Sequence, residues 1–159
     1  MATLLHIDTA GEKAMVAISQ NGVLKAIKEN EVFQTHASFL QVAIQTLVAE
    51  TAIPLNSIDA IAVTMGPGSY TGLRIGVSAA KGLCYALNIS LIAVDTLQTL
   101  ASQAGVTDGK IIPMLDARRM EVYSEIFNAD LTIERGIKAE HGSGLSAPNH
   151  YIGPHEQQF

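Results

Sequence analysis

Tryptophan is absent from this 159-residue chain, and only 5% of its residues are aromatic. Hydrophobic residues nevertheless make up 48%, which excludes global disorder. The core must be built from aliphatic side chains and alanine, a composition suited to helices lying close on a parallel sheet. Cys84 is the single cysteine, so no internal disulfide can form, as fits a reducing compartment. Basic residues are also scarce: 10 Lys and Arg stand against 15 Asp and Glu, a formal net charge of −5. Nucleic-acid binding draws most of its non-specific strength from surplus positive charge, so the chain is not expected to grip such a polymer alone. No apolar run approaches the ~20 residues of a membrane helix. The opening residues have no basic stretch, and their apolar run ends at Asp8, so they do not read as a signal peptide. The expected location is the cytoplasm.

What is present is a regular alternation of short apolar runs and turn signals. Residues 3–8, 14–20 and 23–29 read as three strands, the last two joined by Asn21-Gly22, a pair that favours the left-handed conformations of a tight hairpin. Residues 35–50 have helical spacing, with Phe39, Leu40, Ala43, Ile44, Leu47 and Val48 on one stripe. Residues 58–65 form a nearly continuous apolar run, as expected of a strand covered on both faces. A long helix over 71–87 and a further buried strand over 89–94 follow, and Asp95 or Thr96 can cap a helix running to about Ala104. This β-β-β-α-β-α-β order predicts an α/β fold, the actin-like, ribonuclease-H-like (ASKHA) lobe shared by actin and sugar kinases, over residues 1–104. Residues 105–109 read as a boundary. Two strands, 111–116 and 121–128, around Ala117-Arg118-Arg119 look like the start of a second such lobe, incomplete within 110–140. Residues 141–159 carry glycine, proline and three histidines without periodicity and are expected to be irregular.

The most specific segment is Met65-Gly66-Pro67-Gly68-Ser69-Tyr70-Thr71-Gly72-Leu73-Arg74-Ile75-Gly76, between a strand and a helix. Backbone N–H groups there can cradle an anion at a helix start. The segment is neither a Walker loop nor the dinucleotide fingerprint, for it lacks a closing Gly-Lys-Ser/Thr and its glycines are spaced G-x-G-x-x-x-G. Gly66, Gly68 and Ser69 are candidate phosphate contacts, with Asp8 and Thr9 at the end of the first strand. The plainer readings are a tight turn in which Ser69 or Thr71 caps the helix, and an Asp8 that caps the turn at Gly11. In the helix that follows, Gly72, Gly76 and Ala80 recur every four residues, with Ala79 and Gly82 beside them, and Arg74 and Lys81 are the only charges. Glycine within a helix costs ~1 kcal/mol relative to alanine, which close approach of another backbone offsets. The chain's own sheet can cover one face. A helix apolar nearly all round calls for a second cover, so a partner chain is the favoured reading. His36 opens the first helix, but the residue four positions on is Leu40, so no helical histidine pair exists to bind a metal. His36 then reads as a helix-start or interface residue. Cys84 reads as an inert core thiol, and Asp116, Arg118 and Arg119 as a polar hairpin. No catalytic constellation is evident.

With Ile7-Asp8-Thr9 before it, and Leu115-Asp116-Ala117-Arg118 and Glu121-Val122-Tyr123 after it, the Met65–Gly76 segment makes the chain resemble the TsaB family from about residue 3 to residue 137. These are bacterial subunits for threonylcarbamoyladenosine synthesis in transfer RNA. The resemblance implies two actin-like lobes and no activity of the subunit alone. It implies a homodimer in isolation and a complex with a catalytic paralogue, TsaD, and the ATPase TsaE. That complex transfers a threonylcarbamoyl group from an adenylate to the adenosine at position 37, beside the anticodon, in transfer RNAs reading codons that begin with A. No cofactor of the chain's own is implied. ATP or ADP and metal belong to the partner subunits, and transfer RNA is met only through the complex. The paralogue carries a helical His-x-x-x-His pair, and the matching place here is His36 and Leu40, without the second ligand. The resemblance puts the partner contacts on the two helices of the first lobe, through His36, Leu40, Ile44, Gly72, Leu73, Gly76, Ala79, Ala80 and Leu83. Family members usually continue well past this length. The competing readings are an actin-like small-molecule kinase or metalloprotease-like (glycoprotease-like) hydrolase, which needs a metal site and two full lobes, and a plain homodimer.

Overall fold

The computed structural model describes residues 2–30, 36–141 and 149–152. The chain divides into two compact units, Met1–Val94 and Asp95–Phe159.

The first unit begins with strands β1 (Thr3–Asp8), β2 (Met15–Gln20) and β3 (Val23–Glu29), then helix α1 (His36–Thr51), strand β4 (Ala60–Gly66), helix α2 (Tyr70–Leu87) and strand β5 (Ser90–Asp95). The sheet order is β3-β2-β1-β4-β5. The first three strands are an antiparallel meander, and β4 lies parallel to β1 in the register Leu4↔Ala60 to Ile7↔Val63. Asn21 and Gly22 take φ 54° and 76°, so the β2–β3 turn has the left-handed pair that this dipeptide favours. Side chains alternate across a strand, so Thr3, Leu5 and Ile7 are buried while Leu4, His6 and Asp8 are half-buried. Leu5, Ile7, Val16, Ile18, Ile61 and Val63 of the sheet join Leu40, Ala43, Ile44 and Leu47 of α1 and Ala80 and Cys84 of α2 in one core. This is the actin-like lobe predicted from element order. One expectation fails: β5 is not buried. It lies at the sheet edge with a neighbour on one flank only, and Leu91 and Ile92 are 37% and 41% exposed.

The second unit opens with helix α3 (Thr96–Ser102), capped by Asp95, whose Oδ1 accepts from the N–H groups of Leu97 (2.7 Å) and Gln98 (3.0 Å). Strands β6 (Lys110–Arg118), β7 (Glu121–Asn128), β8 (Ile133–His141) and β9 (Asn149–Ile152) form a sheet of order β8-β7-β6-β9. It is again an antiparallel meander with a fourth strand parallel to the first, the pattern of β1–β4 in the first unit. The break between units falls at Val94/Asp95, not at residues 105–109, because Leu97 and Ala101 of α3 share a core with Ile111 and Phe127. The tail, expected to be irregular over 141–159, contributes β9, which pairs with the flank of β6 left open by β7. Residues 142–148 and 153–159 lie outside the described residues. β8 was not anticipated either. Its burial pattern is that of an edge strand, and no apolar alternation marks it.

Candidate functional site

The glycine segment and the end of β1 meet as a clasp. After Asp8 the chain turns, with Asp8 Oδ1 accepting from the Ala10 N–H at 2.9 Å. Thr9 is 1% exposed, and its hydroxyl donates to the Gly72 carbonyl at 2.7 Å. On the other side, β4 ends at Gly66, whose φ of +112° few L side chains adopt. Ser69 N–H donates to the Ala10 carbonyl at 2.7 Å. Ser69 Oγ accepts from Gly72 N–H at 3.3 Å, which makes Ser69 the N-cap of α2.

Three of the glycines are dictated by this contact. A Cβ at Gly68 would stand 2.6 Å from the Ala10 carbonyl oxygen, one at Gly72 2.0 Å from the Thr9 carbonyl oxygen, and one at Gly76 2.3 Å from Thr9 Oγ1. The close approach that offsets helical glycine therefore comes from the chain's own turn after β1.

Asp8, Thr9, Gly66, Gly68 and Ser69 are thus brought together, and the polar groups of Asp8, Thr9 and Ser69 are turned on the chain's own backbone. The N–H groups of Ala10, Ser69, Gly72 and Leu73 donate to Asp8 Oδ1, the Ala10 carbonyl, Ser69 Oγ and the Ser69 carbonyl. Asp8 caps its turn at Ala10 rather than Gly11, and Ser69 rather than Thr71 caps the helix. Among the described residues no group of three or more His, Cys, Asp or Glu is placed to hold a metal ion. Cys84 is buried with its thiol 3.5 Å from the Ser90 carbonyl, and burial pushes the thiol up from its ordinary pKa. His6 Nε2 lies 2.7 Å from Ser19 Oγ, and burial holds this imidazole below the ordinary histidine value of 6.5.

The expected partner residues need correction. Leu40, Ile44, Gly72, Gly76 and Ala80 are interior, because the small-residue stripe of α2 and the apolar stripe of α1 both face the first unit's own core. Leu73, Ala79 and Leu83 are half-buried, and Ala79 and Leu83 pack against that core. His36 heads α1, and its side chain lies outside the described residues. The face of α2 that remains open carries Tyr70 (75% exposed), Arg74, Ser78, Lys81, Gly82 and Tyr85 (91% exposed). The Arg74 guanidinium stands over the Tyr70 ring, 5.6 Å from its centre. A Cβ at Gly82 would meet nothing within 4 Å. Sequence reasoning missed this face, although Gly82 falls out of register with Gly72, Gly76 and Ala80, which is a readable signal.

The second unit holds an unlike turn. The register Arg118↔Glu121 leaves Arg119-Met120 as the loop between β6 and β7. Arg118, Arg119 and Met120 have φ of 66°, 57° and 65°. The left-handed conformation costs a residue with a Cβ roughly 1–2 kcal/mol. The turn is braced by Asp116 Oδ1, which accepts from Arg118 N–H at 2.7 Å, and by His141 Nδ1, which donates to the Met120 carbonyl at 3.1 Å.

The family model for TsaD, tRNA N6-adenosine threonylcarbamoyltransferase, matches residues 23–138. The tRNA threonylcarbamoyladenosine biosynthesis protein TsaB of Bacillus subtilis is 35% identical over 125 residues, covering 79% of this chain and 55% of that protein. The protein of the same name from Escherichia coli is 35% identical over 136 residues, 84% of this chain and 57% of that one. The solved structure of YeaZ from Pseudomonas aeruginosa superimposes with a TM-score of 0.81 at 29% identity, covering 93% of this chain and 71% of its own. The chain spans about half the length of the curated relatives it matches.

Proposed function

From the premise that this chain belongs to the TsaB family, we propose that it is a non-catalytic subunit of threonylcarbamoyladenosine synthesis in transfer RNA. It works with a TsaD-type catalytic paralogue and a TsaE-type ATPase, in the cytoplasm. The observation that carries the non-catalytic part is the clasp. The N–H groups of Ser69, Gly72 and Leu73 and the hydroxyl of Thr9, which a phosphate cradle would need to turn outward, are satisfied inside the fold. On this reading nucleotide and metal are held by the partners, and the transfer to the adenosine beside the anticodon happens on the paralogue.

The partner surface is the outward face of the first unit's helices, with Val42 of α1 and Tyr70, Lys81, Gly82 and Tyr85 of α2. An exposed glycine inside a helix costs ~1 kcal/mol with no contact in this chain to offset it. A second helix seated there would supply that contact, whether from the paralogue or, in isolation, from a second copy.

Co-purification with the paralogue, and nucleoside analysis of transfer RNA from a strain lacking the gene, test the proposal. The complex should form and the modified nucleoside should disappear. Normal nucleoside levels in the deletion strain would end the reading.

A further inference from the structure

We infer that the tip of the β6–β7 hairpin, Arg118-Arg119-Met120, is a contact for the phosphodiester backbone of RNA. The inference rests on the RNA-modification reading above and extends it to a surface of the second unit.

Two of the tight hairpins take successive left-handed residues at the turn, whereas β7–β8 takes one, Leu131. One uses Asn21-Gly22, the cheapest dipeptide for that backbone. The other uses two arginines and a methionine, all at positive φ, where Asn and Gly would relieve the strain. Ala52 and Leu131 take single left-handed positions, but here three successive residues do so and two are arginines, which directs attention to what their side chains present. Among the described residues nothing is found to receive them. Met120 is 89% exposed. Arg118 and Arg119 are exposed and take no part in the ion pairs or side-chain hydrogen bonds found among the described residues. The turn beneath them is braced at the Arg118 N–H and the Met120 carbonyl, so the tip is held in place.

Adjacent guanidinium groups are always charged, and each matches two phosphate oxygens at once. The chain as a whole carries −5, so a polyanion is repelled by most of its surface. Two local cations then serve to orient RNA held mainly elsewhere, the division of labour usual for phosphate contacts. An acidic protein segment would use the same fork, but the pathway of the relatives supplies RNA.

The test places a photoreactive benzoylphenylalanine at Met120 in the full chain, and for comparison at Val23 beside the other hairpin, in the mixture with the TsaD homologue and unmodified transfer RNA at low salt. An RNA adduct is expected from position 120 and not from position 23. In filter binding, Arg118→Ala/Arg119→Ala should lower the slope of log affinity against log salt by roughly 2. Arg119→Asn/Met120→Gly, which suits the turn and keeps it folded, should lower it by about 1. Equal adducts at both positions, no adduct at 120, or slopes unchanged in a folded variant would overturn the inference. So would an adduct from position 120 to the TsaD homologue and none to RNA. The nucleoside level in the deletion strain is independent of these outcomes, so failure of the parent reading is recognised separately.

Discussion

The two faces of α2 carry glycine for opposite reasons. On the inner face Gly72 and Gly76 let the helix settle on Thr9, closer than any side chain would allow. On the outer face Gly82 has open space around it. A four-residue repeat of small residues reports that something comes close. It does not report whether the neighbour is the chain's own strand or another polypeptide. Here the repeat belongs to the fold, and the glycine outside the repeat belongs to the surface.

The sharpest break of this contrast is Gly72→Ala. The atom it adds would lie 2.0 Å from the Thr9 carbonyl oxygen, a backbone group that cannot swing aside. A loss of about 3 kcal/mol or more is expected in denaturant unfolding, from overpacking; an unchanged midpoint would show that the clasp is not formed. Gly76→Leu should act on the fold in the same way, before any effect on assembly. Next is Thr9→Val, which keeps the shape but removes the buried hydroxyl that donates to the Gly72 carbonyl. It should lose about 1–3 kcal/mol. Smaller again, and of opposite sign, is Gly82→Ala, which should gain up to about 1 kcal/mol. The same substitution on both faces of one helix thus has opposite outcomes.

The smallest effect is with pH. His6 has a folded pKa below its ordinary value of 6.5 through burial, so the unfolded chain binds the proton more readily. The stability this neutral imidazole contributes is fully present above pH 6.5 and declines as pH falls through and below that value. Thermal melts of His6→Gln against the parent should converge toward acid pH; a parallel offset at every pH would remove His6 as the cause.

Much of the first unit was legible because its signals are local. The strands β1 and β3 begin and end where the apolar runs do, and Asn21-Gly22 marks its own turn. Covering was not legible. β5 reads as buried from composition, yet exposure depends on its place at the sheet edge, which follows from strand order and not from its residues. β8 is held by pairing with a neighbour more than by a buried face of its own, and β9 is too short to show a periodic pattern. β8 carries charge and a glycine along its length, and β9 is only four residues long. The polar stretch 105–109 carries the local signature of a linker, yet the unit boundary lies before α3, because Leu97 and Ala101 tie that helix to the strands after it. At the candidate site, Asp8, Thr9 and the Gly66–Ser69 turn lie together. Their hydrogen bonds to one another depend on two segments about sixty residues apart meeting, which no local pattern reveals.

The most direct measurement is the mass in solution of the chain with and without the TsaD homologue, for the parent and for Gly82→Arg. Arginine is a good helix former, so the variant should melt no lower than the parent. The account predicts that the parent forms the mixed complex and that Gly82→Arg remains folded but fails to form it. A Gly82→Arg chain that assembles as well as the parent would contradict the assignment of the outer face.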